Sequence, residues 1–252
     1  MKNILNKELV ERYSRQIVLK DVGPSGQKKI INSKVLVVGA GGLGCPVIDY
    51  LSRAGVGNIG VVDNDKVNIS NIHRQSLYNS KDVGKFKVNV VKQKIKLINP
   101  QVNIKTFRVR IEKKNIEKIL KNYHFIIDGS DNFKTKFLLN EYSLKYKKVL
   151  IVGAISKMDG HIFTFNFKNK KNTCLKCFYQ SEPSDEILNC EYEGILGPVA
   201  GIVGNIQAIE VLKKILNLNK ESNNKILILD LFNLNFRKVQ FEKKKRCICK
   251  NF

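Results

Sequence analysis

At 252 residues, 43% hydrophobic and 27% charged, the chain has a globular composition and enough length to bury a substantial core. The N-terminal MKNILNKELVERYS lacks the apolar core of a signal peptide, and no uninterrupted apolar run is long enough to cross a bilayer, so the expectation is a soluble protein of the cytoplasm or of an organelle's stroma or matrix. The formal charge of +23 invites a nucleic-acid reading, but apart from Lys243-Lys244-Lys245-Arg246 the lysines are scattered, as in compositional drift; an acidic protein partner or RNA stays open.

In chain order, residues 7 to 20 read as a short helix with an extension, Arg12 and Arg15 sharing a face, and Asp21 to Gly26 as a turn. Lys34 to Val38 is a β-branched apolar run of the kind buried on both faces of a parallel sheet. It ends in Gly39-Ala40-Gly41-Gly42-Leu43-Gly44, a G-x-G-x-x-G turn leading into a helix, and a second apolar run, Ile59 to Val62, stops at Asp63. Strand, glycine turn, helix, second strand and terminal acid make a nucleotide-binding βαβ unit. Its glycines allow a tight turn, close approach to a phosphate and helix–strand packing. The helix N-terminus offers unpaired N–H groups to an anion, and the acid can hold ribose hydroxyls.

The loop from Asn64 to Ser80 carries Ser70-Asn71-Ile72-His73-Arg74-Gln75 and lies at the strand ends where such sheets bind ligands. It is longer than a connection needs. Gly84 to Ile98 is an amphipathic helix with Lys87 in its first turn, where a cation opposes the helix dipole. A strand from Val102 to Val109 and a helix from Glu112 to Leu120 follow. The buried strand His124 to Asp128 then runs into Gly129-Ser130-Asp131-Asn132, with Asp131 placed to cap a helix from Phe133 to Leu144.

Val149 to Ile155 is a further core strand, and the alternation from His161 to Phe167 predicts an antiparallel strand with one wet face. Pro198 to Leu216 should be a long, largely buried helix, and Ile226–Asp230 with Asn235–Phe241 a final hairpin. The fold expected is therefore α/β: a Rossmann-like mixed sheet, parallel in its first half and antiparallel later, with helices on both faces. No repeat or flexible linker divides residues 1–252, so one domain is expected. Six cysteines in an intracellular chain point to metal or thiol chemistry before disulfides. Cys174-Leu175-Lys176-Cys177 is a chelating pair, and Cys247-Ile248-Cys249 lies near the end. Cys45 begins a helix, which lowers a thiol pKa, yet it reads better as a small core residue.

With GAGGLG, Asp63, SNIHRQ, Lys87, SDN and C-x-x-C in this order, the sequence resembles the ThiF/MoeB/HesA family from Arg12-Tyr13-Ser14-Arg15-Gln16 to the terminal cysteines. These bacterial relatives of ubiquitin-activating enzymes adenylate small ubiquitin-like sulfur carriers. The resemblance implies a single adenylation domain, with a nucleotide-binding half over about 1–150 and a carrier and zinc half over about 151–252. It implies that Gly39, Gly41, Gly42 and Gly44 shape the phosphate site of ATP and that Asp63 holds the ribose. Asn71, Arg74 and Lys87 would bind the phosphates and the developing charge, Asp131 would hold Mg²⁺, and Asn132 would lie beside the nucleotide.

Arg15 matches an arginine given to a neighbouring subunit's site, which implies a homodimer. Cys174 and Cys177 match half of a structural zinc site. The other half falls to Cys247 and Cys249, although the family pattern has C-x-x-C there and this chain has C-x-C. Cys190 stands where some members bond covalently to the carrier and others carry a dispensable thiol. The stretch Gly194 to Pro198 looks closer to the thiamine enzyme than to the molybdopterin one. Two rival readings stay open: a nicotinamide-dependent oxidoreductase, which shares the βαβ unit, and an enzyme adenylating a tRNA base, which suits the charge. A non-catalytic RNA-binding module is more distant, since no RNA-reading aromatic motif is visible.

Overall fold

The computed structural model describes residues 5–169, 172–179, 183, 194–218 and 224–250. Among these, the helices are α1 (Lys7–Arg12), α2 (Ser14–Ile17), α3 (Gly23–Ile31), α4 (Gly44–Arg53), α5 (Lys87–Ile98), α6 (Lys113–Leu120), α7 (Phe133–Lys145), α8 (Leu175–Phe178) and α9 (Gly197–Leu216). The strands are β1 (Lys34–Val38), β2 (Asn58–Val62), β3 (Asn103–Phe107), β4 (Phe125–Asp128), β5 (Val149–Ser156), β6 (Asp159–Asn166), β7 (Lys225–Asp230) and β8 (Asn235–Gln240). They form one sheet in the order β3-β2-β1-β4-β5-β6-β7-β8. The first five positions of that order pair in parallel and the remainder antiparallel, as the alternation and run lengths predict.

The chain leaves β1 towards β2 and β3, then crosses back to lay β4 on the other side of β1. This reversal opens a crevice at the carboxyl ends of β1 and β4, where α/β sheets hold ligands. Val35 and Val37 point into a core completed by α3, α4, α5 and α9, while Leu36, Val38 and Ile126 face α6, α7 and α8. Each large aliphatic side chain buried there contributes about 1.5–3 kcal/mol. α9 seats itself by close approach: a Cβ on Gly204 would lie 2.5 Å from Pro46 Cγ and 2.6 Å from the Leu43 carbonyl oxygen. The small residue there lets α9 press against the helix that follows the glycine turn.

Four local expectations are corrected. Residues 7 to 17 form two helices broken at Tyr13, so Arg12 and Arg15 do not share a helical face. Tyr13 turns inward instead; its hydroxyl accepts a bond from Asn99 Nδ2 at 2.8 Å and packs against Gly55. The turn expected through Gly26 gives way to α3 from Gly23 onwards, with Pro24 in its first turn, where the missing N–H costs nothing. The wet face expected on β6 is covered: Ile162, Phe163, Thr164 and Phe165 are all buried. Thr164 sits beneath α9, its hydroxyl donating to Glu210 Oε2 at 3.1 Å. Finally, α7 is capped by Asn132, whose Oδ1 accepts the Thr135 N–H at 2.9 Å, and not by Asp131.

Candidate active site

The crevice encloses about 470 Å³, and its walls come from the loops after four strands. Gly39, Gly41 and Gly42 follow β1; Asp63, Asn64 and Asp65 follow β2; Arg110 follows β3; Gly129 to Asn132 follow β4. Asn71, Arg74, Gln75 and Lys87 close the side.

The glycine turn is fixed from several directions. Gly39 has φ +92°, and a Cβ there would meet the Gly129 carbonyl oxygen at 2.6 Å, so glycine alone fits. Gly41 has open space around its Cα except for Gln75 Nε2 at 3.7 Å, the cradle a phosphate needs for close approach. Gly44 is not among the lining residues. A Cβ on it would run into the Gly39 carbonyl oxygen, so it closes the turn and packs helix on strand.

Asp63 locks the turn to the end of β2, accepting the Ala40 N–H through Oδ2 and the Asp65 N–H through Oδ1, both at 2.8 Å. Each oxygen keeps a second lone pair for a hydroxyl donor. Burial raises the Asp63 pKa above the ordinary aspartate value, with the Lys87 charge acting against that rise. Cys45, beside the turn, is fully buried and bonded to the Ala40 carbonyl oxygen; burial pushes its thiol up to about 12. It is a core residue and no nucleophile.

The cations are held in place. Arg74 Nη2 donates to Asn71 Oδ1 at 2.8 Å, and Nη1 reaches the Ser70 carbonyl oxygen at 3.1 Å and His73 Nε2 at 2.9 Å. Lys87 is 5% exposed, yet it begins α5 and pairs with the exposed Asp65 at 3.1 Å. A lysine at the start of a helix is unfavourable, and Asp65 supplies the compensation. Asp131 is exposed at the rim and accepts a bond from Asn132 Nδ2 at 3.1 Å.

Arg15 lies on α2, exposed and apart from the residues lining this crevice. Sequence reasoning missed Asp65, Ser130, Arg110 and Gln75. Gln75 is 4% exposed and its Oε1 has no hydrogen-bond partner, a polar orphan at the mouth of the glycine turn. Its place in the run from Ser70 was the available signal.

A second cluster lies on the face of the sheet that carries α6 and α7. Cys174, Cys177, Cys247 and Cys249 bring four sulfur atoms within 4.8 Å of one another, with Sγ separations of 3.4 Å for Cys174–Cys247 and 3.5 Å for Cys177–Cys249. Tetrahedral thiolate ligation at about 2.3 Å spaces sulfurs about 3.8 Å apart, so the set fits a metal ion. The C-x-C spacing still delivers both thiols. The hydrogen bond from Cys174 favours the Cys177 thiolate and holds its pKa below the ordinary thiol range. Cys190 lies outside the described residues.

The fold is that of a doubly wound α/β protein in which a glycine turn, the Asp63 carboxylate and the cations Arg74 and Lys87 line one crevice. The chain belongs to the ThiF family, whose sequence profile matches residues 13–251. A sulfur carrier protein adenylyltransferase of Thermus thermophilus is 38% identical over 96% of this chain and 90% of its own. A probable molybdopterin-synthase adenylyltransferase of Gracilaria tenuistipitata var. liui is 38% identical over 94% of this chain and 68% of its own. Among solved structures, E. coli MccB with ATP superposes with a TM-score of 0.82 at 21% identity, covering 96% of this chain and 75% of that one; the likeness supports the fold. Among the described residues no helix is long and apolar enough to cross a membrane.

Proposed function

We propose that this chain adenylates the C-terminal glycine of a small ubiquitin-like sulfur carrier with ATP. The observation that carries the proposal is the convergence of Arg74, Lys87 and Asn71 on the crevice beside Gly41, in a chain whose named relatives are adenylyltransferases. A carboxylate is a poor electrophile until one oxygen belongs to a good leaving group. The carrier's carboxylate oxygen bonds to the α-phosphorus of ATP, the bond to the β-phosphate oxygen breaks, and pyrophosphate departs. Two anions must meet for this to happen, so catalysis rests on positioning and electrostatics.

In this reading Gly41 and Gly42 let the phosphates approach the backbone, Asp63 accepts the ribose hydroxyls, and Arg74 and Lys87 oppose the charge that develops at phosphorus. Asn71 holds Arg74 in position, and Asn132 lies beside the nucleotide. Asp131, exposed at the rim, would hold Mg²⁺, which would supply further charge neutralisation for the triphosphate. Arg15 is exposed on α2 and is not among the residues lining its own crevice, which suits a homodimer in which it serves the partner's.

The four cysteines would hold Zn²⁺, closing the tail onto the α8 loop as a structural knot. The whole chain, 1–252, would work as one adenylation domain, its nucleotide half about 1–150 and its carrier and zinc half about 151–252. The carrier belongs to thiamine or to molybdopterin synthesis, and Cys190 is the candidate for a covalent link to it. An oxidoreductase gives no reason for cations at the phosphate end, and a tRNA-adenylating enzyme gives none for the paired cysteines.

The test is carrier-dependent ATP–pyrophosphate exchange with purified ThiS-type and molybdopterin-type carriers. Exchange with one of them supports the reading. Exchange with neither, alongside steeply salt-dependent tRNA binding, would transfer the activity to the tRNA class.

A further inference from the structure

Behind the crevice wall lies an ion pair that the proposed chemistry leaves without a task. Lys136 Nζ stands 3.2 Å from Asp128 Oδ2, with the two side chains 2% and 0% exposed. Neither residue lines the crevice. Taking two charges out of water is costly, and apolar residues of similar volume often serve stability as well. Such a pair is best explained by what it holds.

What it holds is Ser130. Lys136 Nζ donates to the Ser130 carbonyl oxygen and to the Gly153 carbonyl oxygen, each at 2.7 Å, so all three ammonium protons are used. Asp128 Oδ1 accepts the Ser130 N–H at 2.9 Å and the Ser130 hydroxyl. The Asp128 carbonyl oxygen is in turn held by Gln207 Nε2 of α9 at 2.9 Å. Ser130 is therefore gripped at its amide, its hydroxyl and its carbonyl. The next two residues are Asp131 and Asn132, both in the crevice wall, and Asn132 caps α7 one turn before Lys136. The clamp ties this turn to β4, β5 and α9 together.

We propose that Lys136 and Asp128 are positioning residues that set where the Asp131 carboxylate stands, and with it the Mg²⁺ requirement of ATP binding. The inference rests on the adenylation reading, in which Asp131 holds the metal. Lys136→Met keeps the length of the side chain and removes its charge and donors; Lys136→Arg restores both.

The experiment titrates full-length wild type and variants with a fluorescent N-methylanthraniloyl ATP, across a Mg²⁺ series and in EDTA, with Tm measured alongside. The expected result is a half-saturating Mg²⁺ concentration at least ~10-fold higher in Lys136→Met, the size of effect typical of outer-shell partners of metal ligands. Binding in EDTA should change by less than ~2-fold, and Lys136→Arg should recover most of the loss. Equal weakening with and without Mg²⁺ would make the pair merely structural, and an unchanged Mg²⁺ requirement in folded Lys136→Met would remove its role. Should that variant fail to fold, Asp128→Asn is judged by the same criterion. Wild-type binding indifferent to Mg²⁺ would overturn the metal role of Asp131 and the clamp with it, and wild type that binds no nucleotide at all would overturn the adenylation reading; Mg²⁺-dependent wild type beside an unaltered variant overturns only the clamp.

Discussion

The crevice and the cysteine cluster are built by opposite means. The crevice draws its residues from loops at the ends of parallel strands, and its polar groups hold one another: Asp63 the glycine turn, Asn71 the Arg74 guanidinium, Asp65 the Lys87 ammonium. It is a preformed, charged surface open to solvent. The cysteine cluster draws on one loop after β6 and on the C-terminal tail, and it is buried against Phe163, Phe165 and Phe167 on the face carrying α6 and α7. It presents nothing to a substrate. A change in the crevice should therefore disturb chemistry and spare stability, while a change in the cluster should do the reverse.

The sharpest way to break that contrast is to remove a crevice cation. Arg74→Ala or Lys87→Ala is expected to fold normally and lose at least ~100-fold in ATP–pyrophosphate exchange, since one donor aimed at developing charge is worth a few kcal/mol. Near-wild-type exchange in both variants would place them outside the mechanism. Next in size is metal removal. Chelation, or Cys177→Ser, should lower Tm by more than about 5 °C and expose the tail to protease. Nucleotide affinity should stay within about 3-fold, because distant sites contribute independently. Metal analysis of fresh protein should find zinc close to one equivalent per chain, and less than half an equivalent would count against the site.

A smaller effect concerns pH. Because burial raises the Asp63 pKa, its carboxylate takes up a proton at a pH above the usual aspartate value of about 3.9. If Asp63 accepts the ribose hydroxyls as proposed, that acceptor is lost on protonation, so nucleotide affinity should fall as pH drops through its raised pKa, and Asp63→Asn should flatten the profile. Linkage runs the other way for folding: a raised native pKa favours the fold at low pH and withdraws that contribution as pH rises through it. The weakest expected effect is chemical. With its thiol at about 12 and no exposure, Cys45 should remain unalkylated by iodoacetamide at pH 8 in the folded protein.

The elements that fix the crevice were readable because they follow local rules. β1, the glycine turn, α4 and β2 show as apolar runs around residues that only a tight turn requires, and Lys87 shows as a cation at an unfavourable helix end. What escaped depends on contacts distant in sequence. The break at Tyr13 exists because its ring packs on Gly55 and its hydroxyl meets Asn99. The covering of β6 needs α9, whose Glu210 lies 46 residues beyond Thr164. Lys136 looks in the sequence like one more surface lysine of α7, and nothing local announces that Asp128, Ser130 and Gly153 surround its ammonium group. The spacing of Cys247 and Cys249 gave a shorter knuckle than the family pattern, yet the tail brings both sulfurs to the pair from the α8 loop.

The account turns on whether this protein places AMP on a carrier's carboxyl terminus. Incubating it with ATP, Mg²⁺ and each candidate carrier, then reading the intact mass of the carrier, addresses this directly. The result expected is a gain of one AMP on a carrier ending in glycine, absent when ATP is omitted and lost with Arg74→Ala. A carrier of unaltered mass in every combination, with no pyrophosphate released, would contradict the account.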